Sequence, residues 1–181
     1  MTVPDATIII PVWNHWDDLT APLLEHLRAD PDAWRMAEII VVDDGSTDGT
    51  QHAPSDNEVR IVRRRRNGGF TAACNSGART AHGRVLVFLN NDCTPEQGWL
   101  PPLLAAVDDG AGMAGSKIVL PSTQRWRAME SGKVTGACFA TTRTLWHTLG
   151  GFDRAAGFSH GGEDTDYGLR AAATGHPIVW V

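Results

Sequence analysis

The sequence predicts an α/β fold built on a largely parallel sheet, and three observations predict it. Short, unbroken apolar runs recur along the first half of the chain, as in strands covered on both faces. Stretches with helical apolar spacing separate them, the alternation expected of strand–helix–strand units. Several of the runs end abruptly in polar or turn residues, which marks one edge of the sheet.

The elements follow in order. Residues 7–12 (TIIIPV) form the first strand, and Leu19, Leu23, Leu24 and Leu27 predict a helix over 17–28. Residues 38–42 (EIIVV) give a second strand, stopped by the turn residues Asp43, Asp44, Gly45 and Ser46, and 58–63 give a third. A helix over 69–81 carries Phe70, Ala73, Cys74 and Gly77 on its inner face, mostly small enough for close approach to a sheet. Residues 85–89 (VLVFL) are the fourth strand. Thr94 as N-cap, Pro95 at the first helical position and Gln97 closing a capping box predict the next helix start. The second half is less regular. Residues 134–140 read as a strand, 142–149 as a short helix, and 157–162 as a Gly-rich loop opening a helix over 163–174. Gly175 and Pro177 stop that helix, and 178–181 begin a last apolar strand.

Composition narrows the function. A chain of 181 residues with 42% hydrophobic and 20% charged residues can build one full core. A formal net charge of −5 argues against a general nucleic-acid binder. The run Arg63, Arg64, Arg65, Arg66 is the basic exception: either a solvated strand end, or a segment with one arginine, Arg66 foremost, facing an anionic ligand. Three cysteines, Cys74, Cys93 and Cys138, show no metal spacing and suit a reducing compartment; Cys93 reads as an inert small residue despite adjoining Asp92. No apolar run reaches the roughly 18 residues of a membrane span, and the first strand comes too early for a signal peptide. The reading is a cytoplasmic protein.

Open sheets of this kind bind ligands beyond the carboxyl ends of their strands. Pro11-Val12-Trp13-Asn14, Asp43-Asp44 and Asn90-Asn91-Asp92 all fall there. A strand as apolar as 85–89 running into two asparagines and an aspartate is either capping the next helix or offering a carboxylate to a ligand. Asp92 with its amide neighbours supplies hard oxygen donors that suit Mg2+ or Mn2+, too few to cage an ion without water and a phosphate. After the first strand comes Pro-Val-Trp-Asn rather than G-x-G-x-x-G, and there is no GK[ST] loop, which disfavours dehydrogenases and P-loop enzymes. A second acidic group, Glu163, Asp164 and Asp166, occupies the first turn of a helix. It serves either as plain capping or as a source of a general base. Glu163 and Asp166 share a helix face, and Asp164 points about 100 degrees away from Glu163.

Taken in order, TIIIPVWN, VVDDGSTDGT, NGGFTAACNSG, VFLNNDCTPEQGWL, VTGACFATTRTLWHTLGGFD and GGEDTDYGLRAAATG resemble the family 2 glycosyltransferases of the GT-A fold. The resemblance is strongest to the rhamnosyltransferase-like branch of bacterial surface-polysaccharide assembly, and it covers nearly the whole chain. It implies a Rossmann-like three-layer sandwich with a mostly parallel central sheet. It also implies one catalytic domain over 1–181, cut short at its C-terminus, with a nucleotide-binding half (1–115) and an acceptor and catalytic-base half (116–181). The implied reaction is an inverting, Mg2+- or Mn2+-dependent transfer of a sugar from a nucleotide-diphosphate donor to the hydroxyl of a saccharide or lipid-linked acceptor. It would serve polysaccharide or glycolipid synthesis, in the cytoplasm or at the inner face of the membrane.

By position, the resemblance has Asp43 bonding the base, with UDP or dTDP favoured because a carboxylate pairs with the N3–H of uracil or thymine. Asp44 supports that loop, while Pro11, Val12 and Asn14 line base and ribose. Asn67, Gly68 and Asn75 shape the wall near ribose and phosphate. Asn90, Asn91 and Asp92 stand where the family has D-x-D, with Asp92 as metal ligand. Gly136 and Ala137 leave room for the donor sugar. Asp164 is the catalytic base, and Glu163 positions the acceptor or the base.

The sequence departs from the family at three points: Asn90 replaces the first acid, the segment 117–133 is short, and the metal-binding histidine lies beyond the final strand. His160 is not that residue and reads as structural or acceptor-facing. Two alternatives stand beside this reading: a catalytically incomplete nucleotide-binding fragment or module of the same fold, and a nucleotidyltransferase, whose Gly-rich signature loop is missing here.

Overall fold

The computed structural model describes residues 4–53, 58–117, 136–154 and 161–181. Its strands are β1 (Ala6–Val12), β2 (Ala37–Asp43), β3 (Val59–Arg63), β4 (Val85–Leu89), β5 (Met113–Gly115), β6 (Cys138–Thr142) and β7 (Ile178–Trp180). They form one sheet in the order β3-β2-β1-β4-β6-β5-β7. Every pairing is parallel except the two made by β6, which runs against β4 and β5.

The helices are α1 (Ala21–Ala29), α2 (Pro31–Met36), α3 (Phe70–Thr80), α4 (Leu100–Asp108), α5 (Arg143–Thr148) and α6 (Glu163–Ala173). Strand side chains alternate between two cores, as a pleat requires. Ile8, Ile10, Val41, Val87 and Leu89 pack with Leu23, Leu24 and Leu27 of α1 and Leu100, Leu103 and Leu104 of α4. On the other face Ile9, Ile40, Val42, Leu86 and Phe88 pack with Ala73, Cys74 and Ala78 of α3, Trp146 of α5 and Tyr167 of α6. The result is a three-layer α/β sandwich with a mostly parallel sheet.

Gly77 lets α3 lie against the sheet: a Cβ there would sit 2.5 Å from Cγ2 of Ile9. The second core is aromatic. Phe88 stacks on Phe139 at 4.8 Å and lies 4.5 Å from Trp146, with Phe152 and Tyr167 completing the group. Such pairs each contribute about 0.5–1.5 kcal/mol beyond area burial. The Tyr167 hydroxyl is paired with Oγ1 of Thr141 at 2.7 Å, so its burial leaves no polar atom stranded.

The predicted elements are displaced where proline decides. A helix from 17 would carry Pro22 in its interior, where it lacks an N–H and clashes with the preceding turn. The chain instead makes a π-helical turn, Trp16–Thr20, and starts α1 at Ala21 with proline in the first turn. The helix predicted to begin at Thr94 starts at Leu100. Started at Pro95, it would have held Pro101 and Pro102 in its interior; started at Leu100, both fall in the first turn. Leu100, Leu103, Leu104 and Val107 are its buried stripe.

Helix α2 and the three-residue strand β5 are additional to the sequence reading. The helix has a clear signal, Asp30 followed by Pro31, and Oδ1 of Asp30 accepts from N–H of Asp32 and Ala33 at 2.9 and 3.2 Å. The strand read at 134–140 is β6, shifted to run through Thr142; its first two residues, the segment 118–133 and His160 lie outside the described residues.

At the edge away from the strands' C-termini, Glu38 joins four elements. It accepts from the Thr7 hydroxyl at 2.6 Å and from Arg60 at 3.3 Å, and it meets the His82 ring at 3.1 Å. Burial works to raise its pKa, but these hydrogen bonds and the Arg60 charge outweigh it and hold the carboxyl below its ordinary range. A carboxyl depressed in the fold stabilises it above the unfolded pKa, and that stabilisation is lost as pH falls through the folded value. Glu38→Gln is therefore expected to cost about 1–2 kcal/mol at pH 7. Urea unfolding of both proteins should show the gap closing below about pH 4; a gap constant with pH would refute this account.

Candidate active site

Parallel strands place their C-terminal ends on one edge, and the reversal of β6 brings its N-terminal end to the same edge. Leu89 pairs with Cys138, and N–H of Asn90 donates to the carbonyl of Ala137 at 2.9 Å. Next in the chain, N–H of Gly136 donates to Oδ2 of Asp164 at 2.6 Å. The second Asp164 oxygen accepts from N–H of Thr165, also at 2.6 Å. A Cβ on Gly136 would lie 3.5 Å from both Oδ2 of Asp164 and the Phe70 ring. Backbone links thus join Asn90, Gly136, Ala137 and Asp164 into one surface, with Phe70 against it. Residues from the two halves of the chain meet there.

The other end of this edge is the Asp43–Asp44 turn. Both carboxylates are buried, at 2% and 3% exposure, and both are neutralised. Asp43 accepts from N–H of Ser46 at 2.9 Å and from Arg63 at 3.4 Å. Asp44 is ion-paired with Arg64 and accepts from N–H of Gly68 and Gly69 at 3.0 and 2.8 Å. Two arginines of the basic run are therefore internal counter-charges, while Arg65 and Arg66 are exposed.

Asn14 and His15 adopt left-handed backbone (φ 63° and 62°), uncommon outside glycine. The Asp43–Asp44 turn and the Asp48 loop hold them there. Asn14 Oδ1 accepts from N–H of Thr47 at 2.9 Å, its own N–H donates to the Ser46 hydroxyl at 2.7 Å, and N–H of His15 donates to Asp48 at 2.7 Å. Hydrogen bonds from Thr50 hold the Asp48 carboxyl down at about 2.

Several expected site residues turn inward. Pro11 and Val12 are buried, so they offer the edge only backbone, whereas the neighbouring Trp13 is 57% exposed. Asn75 spends both amide atoms on the backbone of Phe152, at 2.8 and 3.1 Å. Asn91 donates to the Thr20 hydroxyl at 3.1 Å, and Asn67 accepts from N–H of Gly69 at 2.9 Å. Asp92 is exposed, and the amide oxygen of Asn90 is buried with no hydrogen-bond partner.

Those two oxygens are hard donors of the type Mg2+ and Mn2+ take, and the rest of the shell would come from water and phosphate. Among the described residues no three His, Cys, Asp or Glu side chains converge to cage an ion. Burial, with the Asp92 charge beside it, pushes the Cys93 thiol up to about 12, which leaves it protonated and unreactive. The sequence reading named Trp13, Ser46, Arg64 and Phe70 but gave them no place among the site residues; of these Trp13, an aromatic among turn residues at a strand end, carried the clearest signal.

The architecture is that of the GT-A glycosyltransferase fold. The structure superposes on a mannosyltransferase of Pyrobaculum calidifontis solved with GDP-Man and Mn2+ at a TM-score of 0.81 and 22% identity, over 99% of this chain and 55% of that one. It superposes on GalNAc-T7, solved with UDP, GalNAc and Mn2+, at 0.80 and 18% identity, over 99% of this chain and 42% of that one. Residues 7–160 match Glycosyl transferase family 2, and the chain belongs to that family. Polypeptide N-acetylgalactosaminyltransferase 6 of Mus musculus is 33% identical over 162 residues, 83% of this chain and 24% of that protein. Glycosyltransferase AglE of Haloferax volcanii is 29% identical over 123 residues, 65% of this chain and 40% of its own length. The chain thus spans well under half the length of these two relatives. Among the described residues no helix is long and apolar enough to cross a membrane.

Two predictions follow from the edge itself. Gly45 has φ 75°, and a Cβ there would lie 2.6 Å from the backbone of Arg66, so Gly45→Ala must both strain its turn and push the 64–69 loop away. A loss of at least about 1–2 kcal/mol by urea unfolding is expected. Glu163 behaves oppositely. Burial, aided by the Asp164 charge, raises its carboxyl pKa. A raised carboxyl favours the fold fully below the unfolded pKa and loses that contribution as pH rises through the folded one. Glu163→Gln should therefore raise the thermal midpoint at pH 7.5 and lose this advantage near pH 4; a lowered midpoint at pH 7.5 would contradict it.

Proposed function

We propose that this chain is the catalytic domain of an inverting glycosyltransferase that moves a sugar from a UDP or dTDP donor to an acceptor hydroxyl. The observation that carries the proposal is the continuous surface from Asn90 through Ala137 and Gly136 to Asp164. It places the polar end of β4 beside a carboxylate at the start of α6. In this reading the donor lies along the edge from the Asp43–Asp44 turn to Asp92. The exposed Trp13 ring and Asn14 flank the base, with Asp43 towards its N3–H and Pro11 and Val12 contributing backbone. Asn67 and Gly68 border the ribose and phosphates, Gly136 and Ala137 leave space for the sugar, and Asp92 holds the divalent ion, assisted by Asn90. Asn91 and Asn75 keep the framework of the wall. A bound Mg2+ or Mn2+ would supply charge neutralisation for the departing diphosphate.

Asp164 is the general base. Two backbone N–H groups fix its carboxylate and leave lone pairs for the acceptor hydroxyl. As the acceptor oxygen bonds to the anomeric carbon, its proton passes to Asp164 and the bond from that carbon to the diphosphate oxygen breaks on the opposite face. Configuration inverts, and Glu163 orients the acceptor. The acceptor fits a saccharide or lipid-linked glycan of surface-polysaccharide or glycolipid synthesis, as in the rhamnosyltransferase-like branch. The site would act in the cytoplasm or at the membrane's inner face.

Calorimetric titration with UDP, dTDP and GDP, each with Mn2+ and with chelator, tests the donor half. Metal-dependent binding of UDP or dTDP, weakened about tenfold or more by Asp92→Ala and by Asp43→Ala, is expected. No binding of any nucleotide would sink the donor assignment. Slow donor hydrolysis should fall about 100-fold or more in Asp164→Asn while nucleotide binding persists. Binding without turnover in the wild-type chain would instead assign a nucleotide-binding module of the same fold.

A further inference from the structure

A cavity of about 510 Å3 lies away from the strand edge, between α3, α5 and the turn that follows α5. Its lining includes Arg79, Arg154, Arg170, His147 and Asn75, with Asp153 as the one carboxylate. Arg79 is nine residues beyond Phe70 on α3, about 13 Å along the helix axis from the edge described above. Asn75 is shared with the framework of the donor wall, and Arg79 lies farther from that edge.

Its floor is rigid. Arg170 is held by Asp166 at 2.6 Å and donates to the carbonyls of Leu149 and Gly151 at 2.7 and 2.8 Å. Asn75 is fixed to the backbone of Phe152, and Gly151 leaves no room for a side chain, since a Cβ would lie 2.5 Å from Oδ1 of Asn75. Trp146 and Phe152 are 2% and 1% exposed, so these two rings lie beneath the surface of the lining. Arg170 is neutralised by Asp166, but among the described residues Arg79 donates to the Ser76 hydroxyl, at 2.9 Å, and the exposed Arg154 has no ion pair.

We propose that this cavity binds a phosphate-bearing ligand, with Arg79 and Arg154 as its recognition residues. Guanidinium forks match phosphate oxygens bidentately. A phosphate group carries close to two negative charges at neutral pH, which Arg79 and Arg154, without an ion-pair partner among the described residues, can balance. The volume lies within the range of about 300–1,000 Å3 found for small-molecule sites and leaves space for a sugar or a second phosphate beside the first. In a chain whose formal net charge is −5, such a concentration of cations is not a consequence of overall composition.

The test is titration of the chelator-treated protein with inorganic pyrophosphate and, separately, with a hexose 1-phosphate. The expected result is binding that weakens about tenfold or more in Arg79→Met and in Arg154→Met and is unchanged in Arg65→Met, outside the cavity. Circular dichroism and thermal midpoints establish that each variant is folded. Tighter binding of the hexose phosphate would name a sugar-bearing ligand, and tighter binding of pyrophosphate a free polyphosphate; either sustains the proposal. No binding of either probe, or binding indifferent to both cavity arginines, overturns it. Nucleotide titration with Mn2+ on the same variants reads the strand edge independently, so failure at one site is distinguishable from failure at the other.

Discussion

The reversed strand β6 is the constraint on which the rest of the site depends. The four parallel strands β3, β2, β1 and β4 alone would gather the ends of β1, β2 and β4 at one edge, but nothing from the second half of the chain. Antiparallel pairing of β6 with β4 sends Gly136 and Ala137 to that edge, and α6 then docks its first turn on the Gly136 amide. The aromatic packing beneath, Phe88 on Phe139 with Tyr167 bonded to Thr141, fixes β6 in register and α6 in depth. A one-residue slip would turn Phe139 to the opposite face of the sheet.

The acids of this protein divide into two kinds by whether their charge is already met. Asp43, Asp44 and Glu38 are supplied with donors and cations from within the fold, as burial requires. The Arg64–Asp44 pair also ties the loop after β3 to the turn after β2, so two segments distant in sequence form one wall. Asp92, Asp164 and Glu163 are different. Asp92 is exposed, Asp164 accepts from the backbone amides of Gly136 and Thr165, and burial that its backbone hydrogen bond does not fully offset pushes the Glu163 pKa up. A carboxyl held at such a cost to the fold, as Glu163 is, marks where function is to be sought.

Much of this was legible in the sequence, and the reasons differ by element. Both-face burial made β1, β2 and β4 readable from their unbroken apolar runs, and the small inner face of α3 forecast its close approach to the sheet. Local capping signals misled at Thr94 because a good cap cannot prevail over two prolines seven residues later. The three residues of β5 are too few for any periodicity, and its pairing with β6 is set by tertiary contacts. The residue types marked strand ends that the fold gathers at one edge, but not which side chains turn towards it. Nothing in the sequence marks Asn75 as a tie to Phe152, or Arg63 and Arg64 as counter-charges to Asp43 and Asp44, because these pairings span 20 to 77 residues.

Asn90 shows how such a choice follows from physics. It stands where the family pattern places an acid, at the end of a fully buried strand and beside the carbonyl of Ala137. Its side-chain oxygen is buried and has no donor. A neutral amide in that position costs about 1–3 kcal/mol until a ligand supplies a hydrogen bond or a cation. A carboxylate there would bury a full charge, which is far more costly unless a cation meets it. The asparagine keeps a hard oxygen at the sheet edge while leaving the negative charge to Asp92, where solvent can carry it. In the proposed reading the same reasoning separates the two residues in role: Asn90 would shape and complete the site, and Asp92 would supply its charge.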